Sequence, residues 1–280
     1  MTTSSGTRTL AGLSGTIVLV GAGKMGGAML EGWLALGLDP KSVVAIEPQP
    51  ARELSTLAGR GLRLNPAATT VGEAAAIVIA VKPQVAPEIV PTLAPYLGAG
   101  TVVLSIMAGR TLGFLEQALS QRAAIVRAMP NTPAAIGRGI TVAVPNQRVS
   151  QRQRDLVHAL LIATGAVEWV SDEALMDAVT AVSGSGPAYV FLLAEVLARA
   201  GVAAGLPEDL ATKLARETVA GSGELLHRSP LGASVLRQNV TSPGGTTAAA
   251  LDVLMAPDGL ELLMTRAVAA ATVRSRQLAG

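Results

Sequence analysis

Short apolar strands alternate with helical patterns over the first 170 residues, and this alternation constrains the fold more than any other feature of the chain. The strand runs are rich in β-branched residues, and the segments between them carry apolar residues at helical spacing. Such a pattern is typical of a doubly wound α/β domain with a mostly parallel sheet. We predict this domain over residues 15–170, with strands at Ile17–Val20, Val43–Ile46, Ile77–Val81, Val102–Leu104, Ile125–Val126, Ile140–Val144 and Val167–Val170.

The strand pattern stops after Ser171, and residues 171–280 indicate an all-α domain. Pro207 is a typical helix start, and a helix should run from it to about Leu226. So much apolar helical surface predicts association with a second copy of the chain. Residues 1–14 begin with a polar segment that lacks the apolar centre of a signal peptide, so we expect a flexible tail there. A further helix is predicted from an apolar stripe formed by Leu260, Leu263, Met264, Ala267, Val268 and Ala271.

The composition excludes several classes of function. The chain has no cysteine, so it has neither disulfides nor a thiolate zinc site, and we expect no bound metal. Its net charge is only +2 and aromatic residues make up 2% of the chain, which argues against nucleic-acid binding. No uninterrupted apolar run approaches the roughly 18 residues that a membrane span needs. We therefore expect a cytoplasmic protein without a nucleic-acid or membrane partner.

A glycine-rich loop follows the first predicted strand, with the order Gly21, Ala22, Gly23, Lys24, Met25 and Gly26. Between a strand and a helix, this spacing is typical of a dinucleotide site. The first glycine makes the tight turn, the second lets the backbone approach the pyrophosphate, and the third lets helix and strand pack closely. The loop therefore predicts a dinucleotide cofactor.

Other candidate cofactor residues follow the next strands. Glu47 ends the second predicted strand, where an acid usually binds the adenosine ribose and repels a 2′-phosphate, so it favours NADH over NADPH. The alternative is that Glu47 turns outward into solvent while Arg52 meets a phosphate. The segments Val81–Pro83 and Ser105–Gly109 also follow strands, at the carboxyl edge where open α/β sheets bind ligands, although Lys82 is equally compatible with an ordinary strand-end lysine.

The segment Ser242–Thr247, which reads Ser-Pro-Gly-Gly-Thr-Thr, opens directly into a helix-forming run. Free backbone N–H groups and the positive end of the helix dipole then point at one spot, which suits a carboxylate. The alternative for this segment is a bare helix cap with no ligand.

The chain is poor in residues that reduce carbonyl groups. Neither Tyr96 nor Tyr189 has a lysine four residues later, and Lys213 has no asparagine beside it. His158 and His227 fall within or near the ends of predicted helices, where histidines are usually structural or exposed. Carbonyl reduction needs a donor to the developing alkoxide, whereas a protonated cyclic imine forms no oxyanion. A cyclic imine is therefore a less demanding substrate for such a chain than a carbonyl compound.

Four segments together resemble the pyrroline-5-carboxylate reductase family: Ala80–Pro83, Arg127–Pro133, Asp177–Tyr189 and Val240–Thr247. The resemblance spans residues 16–277. It implies NAD(P)H-dependent reduction of 1-pyrroline-5-carboxylate to L-proline, the last step of proline biosynthesis. It also implies a Rossmann domain that holds NADPH or NADH, with a preference for NADPH, and a helical domain that forms homodimers, often within larger rings.

The resemblance assigns roles to individual residues. Ser242, Gly244, Gly245 and Thr246 would hold the substrate carboxylate, and the Thr247 hydroxyl would hydrogen-bond the ring nitrogen. Asn131 and Glu173 match positions near the nicotinamide. Besides these two residues, the glycine-rich loop and Glu47, the predicted cofactor contacts are Ala80, Val81, Lys82, Pro83, Met107 and Ala108.

Two departures from the family pattern fall at the adenosine end. Asn65 is shifted by two residues from the usual asparagine, and many members have an uncharged residue in place of Glu47. Elsewhere, Ser183–Pro187 interrupts a helical stretch, and we interpret it as a packing element, with proximity to the nicotinamide secondary. Two alternative functions remain: reduction of another cyclic imino acid, such as the six-membered piperideine homologue, and dinucleotide sensing without turnover.

Overall fold

A computed structural model describes residues 9–279, and its first part is built on one eight-stranded sheet of order β3-β2-β1-β4-β5-β6-β7-β8. All neighbouring strands are parallel except β6 and β7, which are antiparallel. The prediction of a doubly wound, mostly parallel sheet is therefore confirmed. The strands are β1 Ile17–Val20, β2 Val43–Ile46, β3 Arg63–Leu64, β4 Ala76–Ile79, β5 Val102–Ser105, β6 Ala124–Met129, β7 Gly139–Pro145 and β8 Gly165–Trp169.

Both faces of the sheet are buried, which explains why its central strands are continuous apolar runs. Ile17 and Leu19 belong to the core cluster on one face, whereas Val18 and Val20 belong to the cluster on the other. Trp33 is fully buried in the first cluster, and its indole N–H donates to the Leu160 carbonyl at 2.8 Å. The central strands of this part are thus fixed from both sides.

Eleven α-helices lie within the described residues, and several begin where the sequence places a helix start. Ser150 forms a capping box with Gln153, which satisfies two amides of the first turn. The helix predicted to follow Pro207 is present. The helices are α1 Lys24–Ala35, α2 Arg52–Ala58, α3 Ala86–Ile89, α4 Leu112–Ala118, α5 Gln151–Leu161, α6 Met176–Val179, α7 Gly186–Ala203, α8 Glu208–Arg228, α9 Ala233–Asn239, α10 Thr246–Leu254 and α11 Leu260–Ala279.

The chain divides into two compact units by its internal contacts. Unit 1 comprises the residues up to Gly184 and those from Thr272 onward, and unit 2 is Ser185–Ala271. The division falls later than the boundary predicted at residue 170. The reason is that Met176, at the start of α6, is fully buried in a cluster with Val142 and Val144 of β7.

The predicted flexible tail, residues 1–14, lies mostly outside the described residues. Within its described part, Leu10 is 3% exposed and its amide donates to the Leu36 carbonyl at 2.7 Å. Leu10 belongs to the same core cluster as Trp33. Leu10 therefore packs into the core, whereas Thr9, Ala11, Gly12 and Ser14 around it are exposed.

Unit 2 buries little of its own apolar surface. Among its described apolar residues only Ala211 and Ala215 of α8 are buried. A Cβ on Gly201 of α7 would lie 3.2 Å from the Ala211 Cβ, so these two helices pack closely through small residues. By contrast, Phe191 of α7 is 64% exposed and Val253 of α10 is 72% exposed. Exposed apolar area on this scale is typical of an interface.

The helical stretch Glu173–Ala203 is apolar enough, by length and composition alone, to cross a membrane, and 6% of its apolar window is buried. One such stretch is weak evidence for a membrane span. The exposed apolar side chains of α7 are equally expected of a helix that packs against a second copy of the chain.

Candidate active site

The glycine-rich loop joins β1 to α1 by a turn that only glycine can make. Gly21 has φ +89°, and a Cβ there would lie 2.9 Å from the carbonyl carbon and oxygen of Ala80. A Cβ on Gly26 would collide with the Gly21 carbonyl oxygen. The loop therefore lies directly on the end of β4, as the sequence predicts for its first and third glycines.

The middle glycine faces open space. A Cβ on Gly23 would have no heavy atom within 4 Å, and Gly23 is the N-cap of α1 with no side chain capping the first amides. Uncapped N–H groups at a helix N-terminus attract an anion. These residues fit a dinucleotide pyrophosphate, because both the space and the donors are available.

Glu47 is turned towards the glycine-rich loop. One of its carboxylate oxygens accepts from the Ala22 amide at 2.9 Å, and the other accepts from the Gln49 amide at 3.0 Å. The residue is half-buried. The alternative in which Glu47 turns outward into solvent is therefore wrong, since two backbone amides hold its carboxylate in the loop.

Asn65 holds the backbone of Glu47. Its side-chain oxygen accepts from the Glu47 amide at 2.8 Å, and its side-chain nitrogen donates to the Glu47 carbonyl at 2.8 Å. Asn65 has φ +48°, a left-handed conformation that asparagine tolerates better than most residues. Sequence reasoning noted its displaced position but missed this role. The available signal was the pair Asn65-Pro66, which is typical of a turn but does not identify the partner of the asparagine.

A cavity of about 500 Å³ lies beside the loop and carries an excess of negative charge. Among the described residues that line it, Glu31, Glu47 and Glu53 are acidic and only Lys24 is basic. Arg52 is not among the lining residues. The cavity therefore lacks the arginine that would favour a 2′-phosphate.

A larger, open cavity of about 1070 Å³ lies at the opposite edge of the sheet, where Ala75, Thr101 and Ala124 precede or begin β4, β5 and β6. Ligands of open α/β sheets bind at the carboxyl ends of the strands. We therefore place the candidate site at the glycine-rich loop.

The segments after β4 and β5 lie at the carboxyl edge, as predicted. Lys82 is exposed, and the side chain of Arg110 donates two hydrogen bonds, at 2.7 and 3.0 Å, to the Pro83 carbonyl. Ala108 is exposed, whereas Met107 is 2% exposed and packs in the core. Any cofactor contact of Met107 must therefore come from its backbone.

Glu173 forms an ion pair with a buried arginine. Its Oε1 accepts from Arg127 Nη1 at 2.8 Å and from the Leu112 amide at 2.8 Å. Arg127 is 5% exposed and belongs to β6. Asn131 follows the same strand, and its side-chain oxygen accepts from the Ile140 amide at 3.0 Å. Both residues predicted near the nicotinamide thus also join elements of unit 1.

The histidines have the structural character that the sequence favours. His158 lies in α5, and its Nδ1 accepts from the Trp169 indole N–H at 3.2 Å. His227 lies in the last turn of α8. Neither arrangement indicates an acid–base residue.

In unit 2, the turn before α10 is open. Gly244 has φ +69°, the Gly245 amide donates to the Ser242 carbonyl at 3.0 Å, and no side chain caps the helix. Ser242, Gly244 and Thr246 are exposed, and Thr247 is half-buried. The amides of the first helical turn therefore face outward without an intrahelical partner, and a carboxylate fits there.

The interruption at Ser183–Pro187 begins as a π-helix. Thr180–Gly184 forms this wider turn between α6 and α7. A Cβ on Gly184 would lie 2.5 Å from Met129 Cε, at the end of β6. Gly184 thus allows close packing, as predicted. The structure adds a feature that the sequence did not indicate: among the described residues, the buried Ser183 hydroxyl has no hydrogen-bond partner.

Comparisons with known protein families agree with this geometry. The family model for pyrroline-5-carboxylate reductase dimerisation matches residues 173–278. A second model, NADP oxidoreductase, coenzyme F420-dependent, matches residues 16–109. The two matches cover the helical part and the glycine-rich part of the chain, respectively.

Individual pyrroline-5-carboxylate reductases match this chain over nearly their whole length. The pyrroline-5-carboxylate reductase of Mycobacterium leprae is 40% identical over 94% of this chain and 96% of its own. That of Pseudomonas aeruginosa is 38% identical with the same coverage. A solved pyrroline-5-carboxylate reductase from Coxiella burnetii superimposes with a TM-score of 0.87 at 32% identity, over 95% of this chain and 99% of its own. A Plasmodium falciparum pyrroline carboxylate reductase, solved with NADP bound, has a TM-score of 0.79 at 30% identity over 95% and 99%.

Proposed function

Because the chain belongs to the pyrroline-5-carboxylate reductase family, we propose that it reduces 1-pyrroline-5-carboxylate to L-proline with a reduced nicotinamide dinucleotide. This is the last step of proline biosynthesis. The observation that carries the proposal is the open, uncapped N-terminus of α10 in the Ser-Pro-Gly-Gly-Thr-Thr segment. An anionic imino acid needs such a site, and a dehydrogenase acting on neutral substrates does not.

The residues of unit 1 hold the cofactor in this proposal. The Gly23 backbone and the first amides of α1 bind the pyrophosphate, and Glu47 accepts the ribose hydroxyls. Backbone groups of Ala80, Val81, Met107 and Ala108, with the side chains of Lys82 and Asn131, bind towards the nicotinamide, near Pro83 and Glu173. When bound, the reduced nicotinamide supplies the hydride.

The residues of unit 2 hold the substrate. Ser242 and the amides of Gly244, Gly245 and Thr246 bind its carboxylate, and the dipole of α10 favours this anion. The Thr247 hydroxyl oxygen accepts a hydrogen bond from the protonated ring nitrogen and so favours the protonated form of the imine. The protonated C=N bond takes a hydride at carbon, and the nitrogen keeps its one proton as a neutral secondary amine, which then takes up a second proton from water. Alignment of this kind supplies about 7–11 kcal/mol of barrier reduction.

We propose NADH as the preferred cofactor. The Glu47 carboxylate is fixed by Ala22 and Gln49, and Glu31 and Glu53 add negative charge to the same cavity. A 2′-phosphate would meet these carboxylates with Lys24 as their only described basic counterpart. The family resemblance alone favours NADPH, so the preference depends on this acidic cavity.

We propose that the active enzyme is a homodimer that associates through the helical domain of residues 171–280. Such dimers could assemble further into rings, which a measurement of molecular mass would detect. Support comes from the exposed apolar side chains of α7, α8 and α10 and from the dimerisation family that matches this region. A cytoplasmic location completes the proposal, since the substrate is a small metabolite.

A direct assay tests the proposed reaction. Absorbance at 340 nm should fall when the imine is added to enzyme and NADH, faster than with NADPH, and faster for the five-membered ring than for piperideine carboxylate. A faster reaction with the six-membered ring would show that the chain is instead a piperideine carboxylate reductase. Cofactor binding without turnover of either imine would favour the dinucleotide-sensing alternative.

A pair of adjacent threonines tests the role of the Thr247 hydroxyl. Thr247→Ala should lower kcat about 100-fold with little change in the melting temperature. Thr246→Ala, the matched control, removes a hydroxyl but keeps the backbone amide that serves the carboxylate, so both kcat and KM for the imine should stay close to those of the parent chain. An unaltered kcat in Thr247→Ala would remove that hydroxyl from the mechanism.

A further inference from the structure

One buried side-chain oxygen among the described residues lacks a hydrogen-bond partner. Within residues 9–279, the Ser183 hydroxyl oxygen is the single side-chain N or O atom that is buried and makes no hydrogen bond. An unmade hydrogen bond at a buried donor lowers the stability of a protein, and native structures contain few of them. Such a group calls for a physical reason, and a ligand that supplies the missing bond is one.

The hydroxyl lies in an irregular helical turn. Ser183 is the fourth residue of the π-helix Thr180–Gly184, and π-helical turns inside α-helices are rare and frequent at functional sites. The next residue, Gly184, packs against Met129 at the end of β6. The π-helix is therefore anchored at the carboxyl end of that strand.

This end of the strand belongs to the ligand-binding edge of the sheet. β6 is parallel to β5, which is parallel to β4 and, through it, to β1. Glu47, at the end of β2, defines the adenosine half of the dinucleotide site, so the nicotinamide half extends to the other side of β1, over β4, β5 and β6. The Ser183 turn thus lies on the nicotinamide side.

We propose that the Ser183 hydroxyl binds the carboxamide of the nicotinamide ring. A hydroxyl both donates and accepts, and a neutral carboxamide offers both complements, whereas the substrate carboxylate already has the α10 amides. Because the hydroxyl oxygen is closed off from water in the ligand-free chain, the turn must open to admit the carboxamide, and the residue is a cofactor-binding group that is left unsatisfied until the dinucleotide arrives. This inference rests on the proposed function only in requiring a nicotinamide dinucleotide, not in the identity of the imine.

Two variants and two ligands test the proposal. Ser183→Ala is compared with Ser185→Ala, a matched control because Ser185 makes no capping hydrogen bond at the start of α7. Calorimetric titration with NADH should show a dissociation constant about 5-fold higher in Ser183→Ala only. ADP-ribose, which lacks the nicotinamide ring, should bind both variants and the parent chain equally.

The ligand-free protein gives a second readout. Removing an unsatisfied buried hydroxyl should raise the melting temperature of Ser183→Ala by about 2 °C, although the same change weakens NADH binding. The proposal is overturned if NADH binding changes no more than in Ser185→Ala. It is equally overturned if ADP-ribose weakens in parallel with NADH, or if the ligand-free variant is destabilised, since each result would make the hydroxyl a structural group. A protein that binds NADH but does not reduce the imine would end the proposed reaction and leave this test intact.

Discussion

Unit 1 and unit 2 of this chain differ sharply in how they are stabilised. In unit 1, strands such as Ile17–Val20 are fully buried from both faces of the sheet. In unit 2, only Ala211 and Ala215 are buried apolar residues among those described. The proposed cofactor residues therefore lie on a scaffold that is complete in one chain. The proposed substrate turn lies on helices that leave wide apolar faces exposed in one chain.

The largest expected effect tests the internal completeness of unit 1. Glu173→Ala leaves the buried Arg127 guanidinium without its carboxylate, and breaking a buried pair in this way costs about 3 kcal/mol of the free energy of unfolding. Urea titration measures it. The control is Glu168→Ala, on an exposed position of β8, which should change stability by less than about 0.5 kcal/mol. Equal effects in the two variants would show that the ion pair does not stabilise unit 1.

Alanine substitutions at two glycines of the cofactor loop should have different effects, one on stability and the other on NADH binding. Gly26→Ala places a Cβ against the Gly21 carbonyl and should destabilise unit 1 by about 2 kcal/mol. Gly23→Ala meets no neighbour, so its melting temperature should stay the same while its dissociation constant for NADH rises at least about 10-fold. Thermal unfolding and NADH titration of both variants check this. If the Gly23→Ala protein binds NADH normally, the pyrophosphate does not bind at this position.

The stability of unit 2 should depend on protein concentration, whereas that of unit 1 should not. If its exposed helices form a dimer interface, each tenfold dilution removes about 1.4 kcal/mol of stabilisation from the folded dimer. Unfolding followed at several concentrations, with sedimentation to give the mass, measures this effect. Phe191→Asp should shift the mass towards the monomer. A melting temperature that is independent of concentration, together with a monomeric mass, would contradict the comparison.

The smallest expected effect concerns cofactor choice. Glu47→Gln removes the charge but keeps side-chain size, and the ratio of kcat/KM for NADPH over NADH should rise about fivefold, or about 1 kcal/mol. Glu53→Gln is the control, because Glu53 lines the same cavity from an exposed position of α2. A ratio that changes equally in both variants would assign the preference to the general charge of the cavity.

The same contrast explains which features the sequence predicts. The strands Ile17–Val20 and Val43–Ile46 were predicted with their observed bounds. A strand that is buried on both faces is a continuous apolar run, which is visible in the sequence. The strand Arg63–Leu64 was missed, since two residues of mixed polarity carry no pattern. The burial of Leu10 was also missed, because a single leucine in a polar segment carries no periodic pattern.

Contacts between distant residues were less predictable. The Glu47 position was recognised from its place after a strand, but the Asn65 side chain that holds it depends on β2 and β3 being neighbours. The Arg127–Glu173 pair joins residues 46 positions apart. The missing partner of Ser183 is a property of the folded turn alone, and no sequence pattern encodes it.

Steady-state turnover tests the central claim most directly: a cofactor loop on unit 1 and an anion-binding helix terminus on unit 2 together reduce a cyclic imino acid. The purified chain is mixed with NADH and 1-pyrroline-5-carboxylate, and both nicotinamide oxidation and proline are measured. We expect the two to be produced in equal amounts, with NADH more effective than NADPH. Binding of both ligands without formation of proline, with either cofactor, would contradict the account.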